Sequence, residues 1–194
     1  MKRLLYSLTL SLCIMCYMLS YADAVSRSLS DNLLRFHIIS NSNSAYDTNI
    51  KLTLRDYLSQ KLANTTLPPY SIKYLTELER LSNEWLEKNG VSYKANATYK
   101  RCFIPQKRYM DITLPQGYYN AIRLTLGEGN GENWWCVAYP SLCFKESEDG
   151  KLSESGKELL KEKLPDECYK IITDERKYRL FIVDFICGIT QKAN

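Results

Sequence analysis

Histidine is almost missing from this sequence: His37 is the one imidazole in 194 residues. A thiol nucleophile that needs an imidazole base therefore has a single residue to draw on. Neither a G-x-S-x-G elbow nor an H-E-x-x-H helix occurs, so two common routes to hydrolysis are closed. A large excess of one charge is lacking as well. The chain carries 26 basic and 22 acidic side chains; without Lys2, Arg3 and Asp23 these fall to 24 and 21, a net of +3. So mild a surplus, spread along the chain, leaves no nucleic-acid footprint. It is compatible with work near an anionic membrane surface.

Cysteine pairing is also sparse beyond residue 24. Cys102, Cys136, Cys143, Cys168 and Cys187 are odd in number and contain no C-x-x-C. That excludes a disulfide-dense scaffold and disfavours structural zinc, so no metal or cofactor is expected. Cys136 and Cys143 flank Pro140 at a spacing that suits either a small disulfide across a turn or two free thiols. The glycine-rich run Gly127-Glu128-Gly129-Asn130-Gly131-Glu132-Asn133 holds two carboxylates and leads into a strand. It is a flexible connection rather than a phosphate cradle.

What the sequence does have begins at its N-terminus. Lys2 and Arg3 precede the apolar run Leu4–Leu19, and Ala22-Asp23-Ala24 follows. These are the three parts of a secretory signal peptide. The expected organisation is a signal peptide over 1–24 and a single domain over 25–194, with an uncleaved anchor as the alternative. In either case the body of the protein leaves the cytoplasm.

Within that body, residues 33–39 form a short apolar segment ending in the polar cluster 40–44, which predicts a buried strand. Ser44 and Asp47 open a helix over about 45–63 striped by Ile50, Leu54, Leu58 and Leu62. A second helix, 71–89, carries Leu75, Leu78, Leu81 and Trp85 and ends at Gly90. Alternation from Tyr93 to Lys100 predicts a half-buried strand, with further strands at 108–114, 118–126 and 134–139. A helix is expected near 153–163. The apolar positions between Tyr178 and Ile189 fit a C-terminal helix, although 180–183 alone reads equally as a strand. The class is α+β: one compact domain, a mainly antiparallel sheet, two N-terminal helices and a C-terminal helix.

Candidate sites follow from parity. If Phe36 points inward, Arg35 and His37 share the opposite face, as a cationic recognition spot or as an ordinary polar strand face. One of the adjacent Trp134 and Trp135 faces away from the core, either as an interaction surface or beneath the C-terminal segment. Cys136 is the best nucleophile candidate, with His37 as its base. This gives the alternative of an exported cysteine hydrolase acting on the cell wall.

Two stretches carry a resemblance. The first is Leu34-Arg35-Phe36-His37-Ile38-Ile39-Ser40-Asn41-Ser42 with Leu52-Thr53-Leu54-Arg55-Asp56. The second joins Tyr118-Tyr119-Asn120-Ala121-Ile122-Arg123, Leu126-Gly127-Glu128-Gly129, Asn133-Trp134-Trp135-Cys136-Val137 and Tyr139-Pro140-Ser141-Leu142-Cys143-Phe144. In order and spacing they resemble the stage II sporulation protein R family of endospore-forming bacteria, over roughly residues 31–145. The resemblance implies a protein made in the forespore and exported into the intermembrane space. There it would activate a membrane-embedded aspartic protease of the mother cell, which removes the pro-sequence of the early mother-cell sigma factor. It implies no catalysis by the chain itself, no small-molecule substrate and no nucleic acid. Arg35, His37, Asn41, Arg123, Glu128, Trp134 and Trp135 become candidate partner contacts. Cys102, Cys168 and Cys187 lie outside the pattern.

Overall fold

A computed structural model describes residues 2–62, 65, 67–109, 112–140, 142 and 154–173. Four strands form its main sheet: β1 (Leu34–Ile39), β2 (Ala95–Ile104), β5 (Gly117–Leu126) and β6 (Asn133–Tyr139). Their spatial order is β2-β5-β1-β6. β1 runs parallel to β5, with Phe36 opposite Ile122, and antiparallel to β6, with Phe36 opposite Cys136. The sheet is therefore mixed, although antiparallel pairing predominates as expected.

The helices α2 (Ala45–Leu62) and α3 (Ile72–Lys88) follow the expected boundaries closely. Ser71 caps α3 by accepting from the Tyr74 N–H, and Gly90 follows its end with φ 69°. Their stripes meet one face of the sheet. Ile50, Leu54, Leu58, Leu78 and Leu86 pack with Phe36, Ile38, Ile122 and Leu124. Each buried leucine or isoleucine there contributes about 1.5–3 kcal/mol.

The opposite face is covered at one end by α1 (Lys2–Asn32), α4 (Glu154–Lys163), α5 (Asp166–Thr173) and the hairpin of β3 (Lys107–Tyr109) and β4 (Ile112–Leu114). Here Val25, Leu29, Ile112, Leu114, Leu160 and Ile171 close over Tyr119, Ala121 and Val137.

Several expectations change. β1 is buried as expected, but at all six residues, so Arg35 and His37 do not form an outer polar face. The segment 108–114 is not one strand but two that pair with each other. β2 extends to Ile104, and α5 was not anticipated. Most distinctly, α1 runs without a break through the Ala24–Val25 junction. Its first half is exposed, whereas Ala22, Val25 and Leu29 lie in the core. By length and composition α1 can cross a membrane. The expected helix or strand between Tyr178 and Ile189 lies outside the described residues.

Candidate functional site

Parity along β1 divides the candidates between two faces. Arg35 and His37 share one face with Ala121 and Arg123 of β5 and with Val137 and Trp135 of β6, their cross-strand neighbours. Trp134 lies on the other face, edge-on to Phe36 at 6.1 Å, with the Arg55 guanidinium 5.4 Å from its centroid. Trp134 is thus a half-buried part of the α2–α3 side. Trp135 is its counterpart on the Arg35 side.

His37 stacks on Trp135, and its Nδ1 lies 3.1 Å from Asn133 Oδ1. With Nδ1–H donating to that oxygen, Nε2 is left buried without a partner. Burial lowers the imidazole pKa from its ordinary 6.5 to about 4, and the positive charges of Arg123, Lys100 and Arg35 push the same way. The Asn133 bond opposes them.

Arg35 is fully buried, so it is not a surface contact in this conformation. Its Nη2 donates to the Tyr109 hydroxyl at 2.7 Å, and its guanidinium lies 5.5 and 5.1 Å from the Tyr109 and Tyr119 ring centroids. Nε and Nη1 have no partner. On the other side of Tyr109, a cleft of about 290 Å³ opens between β6 and the β3–β4 hairpin. Lys107, Tyr109, Asn133, Trp135, Val137 and Leu142 line it, and Lys107 Nζ sits 5.6 Å from the Trp135 centroid. Arg123 donates from Nε to Thr125 Oγ1.

Asn41 and Glu128 belong to a second arrangement, at the end of the sheet. Asn41 Oδ1 accepts from the Glu128 N–H, and Asn41 Nδ2 donates to Asp47. The Asn130 and Gly131 N–H groups donate to the carbonyls of Asn41 and Ser40, and the Glu132 N–H donates to Asn43 Oδ1. Lys51 Nζ reaches the Glu132 carbonyl at 2.8 Å. The polar cluster after β1 is therefore the clamp that shapes the glycine loop before β6. Gly127, at φ 54°, abuts the Asn41 carboxamide, and a Cβ on Gly131 would strike Ser40 Oγ and the Ser42 carbonyl.

Asp47 completes the clamp. Its N–H donates to Ser44 Oγ, as a helix start requires, but its carboxylate turns inward to Ser42, Asn41 and Tyr93 rather than back to the Ser44 N–H. Burial pushes this carboxyl up, yet those hydrogen bonds outweigh it and hold its pKa below the ordinary 3.8.

The thiol–imidazole pair does not form. Cys136 opposes Phe36 and so projects from the face opposite His37. Its sulfur is held in a disulfide, and Cys143, its expected partner, lies outside the described residues. Among the described residues no cluster of three metal-ligating side chains occurs.

The sequence grouped Arg35, His37, Glu128 and one of Trp134 and Trp135 on one surface. The structure keeps Arg35, His37 and Trp135 on one face with Arg123 and places Glu128 in the Asn41 clamp. It adds Lys100, Lys107, Tyr109 and Tyr119, which that grouping missed. Lys100 was legible from the alternation of β2. Nothing in the local pattern announced that the 107–114 hairpin would fold over Arg35.

No solved structure matches the chain. The Stage II sporulation protein R of Bacillus subtilis (strain 168) is 29% identical over 185 residues, which cover 83% of this chain and 83% of that one. Residues 30–149 match the family described as Stage II sporulation protein R, a span that holds β1, the clamped glycine loop, the cleft and both tryptophans. The chain belongs to the stage II sporulation protein R family.

Proposed function

We propose that this protein is an exported signal of endospore formation. It activates a membrane-embedded aspartic protease of the mother cell, which then processes the pro-form of the early mother-cell sigma factor. The observation that carries the reading is the family match over 30–149, and two structural features support it. The apolar first half of α1 suits export or membrane association. The best nucleophile candidate, Cys136, is tied in a disulfide and faces away from the lone imidazole, which leaves recognition as the chemistry this face supports.

Activation is then a shift in the receptor's conformational population. The exported domain favours the working state only by binding it more tightly than the resting one. Export places the domain in the intermembrane space, within reach of the receptor's outer surface.

Co-expression with the protease and its sigma precursor in a non-sporulating host tests the reading. The shortened sigma factor should appear only when this chain is exported. Equal processing with the chain confined to the cytosol overturns the proposal. So does cleavage of the precursor by this protein alone.

A further inference from the structure

A buried guanidinium with unmade hydrogen bonds is expensive. Removing a charge from water costs several kcal/mol unless partners replace the lost hydration. Arg35 is fully buried, keeps one hydrogen bond from its five N–H groups, and leaves Nε and Nη1 unpaired. The surrounding charges do not offset it. Lys100, Lys107 and Arg123 share its face or rim, and neither they nor Arg35 form an ion pair among the described residues. Burial is the main cause of the low pKa of His37, and Arg123, Lys100 and Arg35 add to it in the same direction.

We propose that the cleft between β6 and the β3–β4 hairpin is a receptor for a carboxylate-bearing segment of a partner protein. Lys107 on the cleft wall draws the acidic group in, with Arg123 adding positive charge from the same sheet face two strands away. Trp135 packs its apolar flank, and Arg35 receives a carboxylate in place of the Tyr109 hydroxyl. The geometry favours a carboxylate because a guanidinium fork binds one through two parallel hydrogen bonds. Tyr109 both lines the cleft and occupies Arg35 Nη2, so an entering acidic side chain meets the one group that it must replace. An extended acidic peptide fits better than a membrane surface, because the buried charge is reached through a concave cleft, behind Tyr109, rather than on a flat face. This inference rests on the reading that the domain works by contacting a partner, and it specifies the chemistry of that contact.

The full chain, isotopically labelled in zwitterionic nanodiscs, can be titrated with a decapeptide alternating glutamate and leucine. Saturable shifts are expected at the Trp135 indole N–H and at the amides of Lys107, Tyr109 and Asn133, weakening with added salt. The glutamine counterpart should bind at least about tenfold more weakly, and the double variant Lys107→Gln/Arg123→Gln should lose a similar factor. Tyr109→Phe keeps the ring but removes the competing hydroxyl, so it should tighten binding about threefold. Equal binding of the glutamine peptide overturns the proposal, as does the lack of any shift at these positions. Shifts produced only by nanodiscs containing phosphatidylglycerol would assign the cleft to lipid headgroups and overturn it too. Sigma processing separates the two claims. Loss of peptide binding with activation intact removes this inference alone, whereas normal peptide binding without activation removes the proposed function alone.

Discussion

The imidazole of His37 lies flat against the indole of Trp135, with centroids 4.5 Å apart and planes 2° from parallel. The two residues are cross-strand neighbours on β1 and β6, so the strand register alone brings them face to face. The contact covers the His37 ring within β1, and it requires a neutral ring because its Nε2 is buried and unpartnered.

That requirement makes stability depend on pH. The folded-state pKa of about 4 lies below the ordinary 6.5, so the unfolded chain binds the proton more readily between these values. Stability is fully present above pH 6.5 and is lost as pH falls towards 4, by about 3 kcal/mol at most. Asp47, whose carboxyl pKa is depressed below 3.8, adds a loss of the same sign at still lower pH. Denaturant midpoints of wild type and His37→Gln, measured from pH 7 to 4, should converge as the pH drops. A variant with the same slope as wild type would assign the dependence elsewhere.

Much of this arrangement was readable in the sequence. Period two placed Arg35 with His37 and separated Trp134 from Trp135, because side-chain parity holds wherever the strand sits in the sheet. Parity does not tell how many faces are covered. Arg35 read as an outer-face residue since charge ordinarily marks solvent, and its burial is created by Tyr109 and Tyr119, which lie 74 and 84 positions away in the chain. The polar cluster 40–44 was legible as a turn. Its role as a template for the glycine loop was not, because each of those hydrogen bonds joins segments far apart in sequence.

The loop clamp yields a contrast between two glycines with similar backbones. Gly90 and Gly127 both have positive φ, 69° and 54°, so alanine at either costs about 1 kcal/mol in strain. A Cβ at Gly90 meets nothing within 4 Å, whereas at Gly127 it collides with the Asn41 carboxamide. Gly127→Ala should therefore destabilise at least twice as much as Gly90→Ala in equilibrium denaturation. Asn41→Ala, which strips partners from the Glu128 N–H and the Asp47 carboxylate, should cost about 1–3 kcal/mol. Equal effects at the two glycines would mean that the loop is not held by Asn41.

Cys136 offers a test of chemistry against architecture. Its disulfide should contribute about 2–4 kcal/mol, so Cys136→Ser and reductant should lower the unfolding midpoint of wild type by similar amounts. Combining them should add little. Activation of sigma processing by Cys136→Ser, assayed in the co-expression host at a temperature where the variant remains folded, should persist. Complete loss of function in a folded variant would restore the hydrolase alternative.

The continuity of α1 sets the final prediction, because two apolar residues of the same helix should behave as if they belonged to different proteins. Leu10 is 64% exposed in the bare half, and Val25 is 4% exposed in the core beside Leu29 and the sheet. Leu10→Asp should leave unfolding of the domain within about 0.5 kcal/mol of wild type while weakening membrane insertion by about 3 kcal/mol. Val25→Asp should do the reverse, destabilising the domain by about 3 kcal/mol or more through a buried, unpaired carboxylate. A cut after Ala24 would place a new charged amine on the backbone of this same buried residue and remove Ala22 from the core. The packing therefore bears against a cut at that site, and the mass of the protein purified from its native cells should include residues 22–24. An N-terminus at Val25 in a fully stable, active domain would show that the contacts of Ala22 are dispensable.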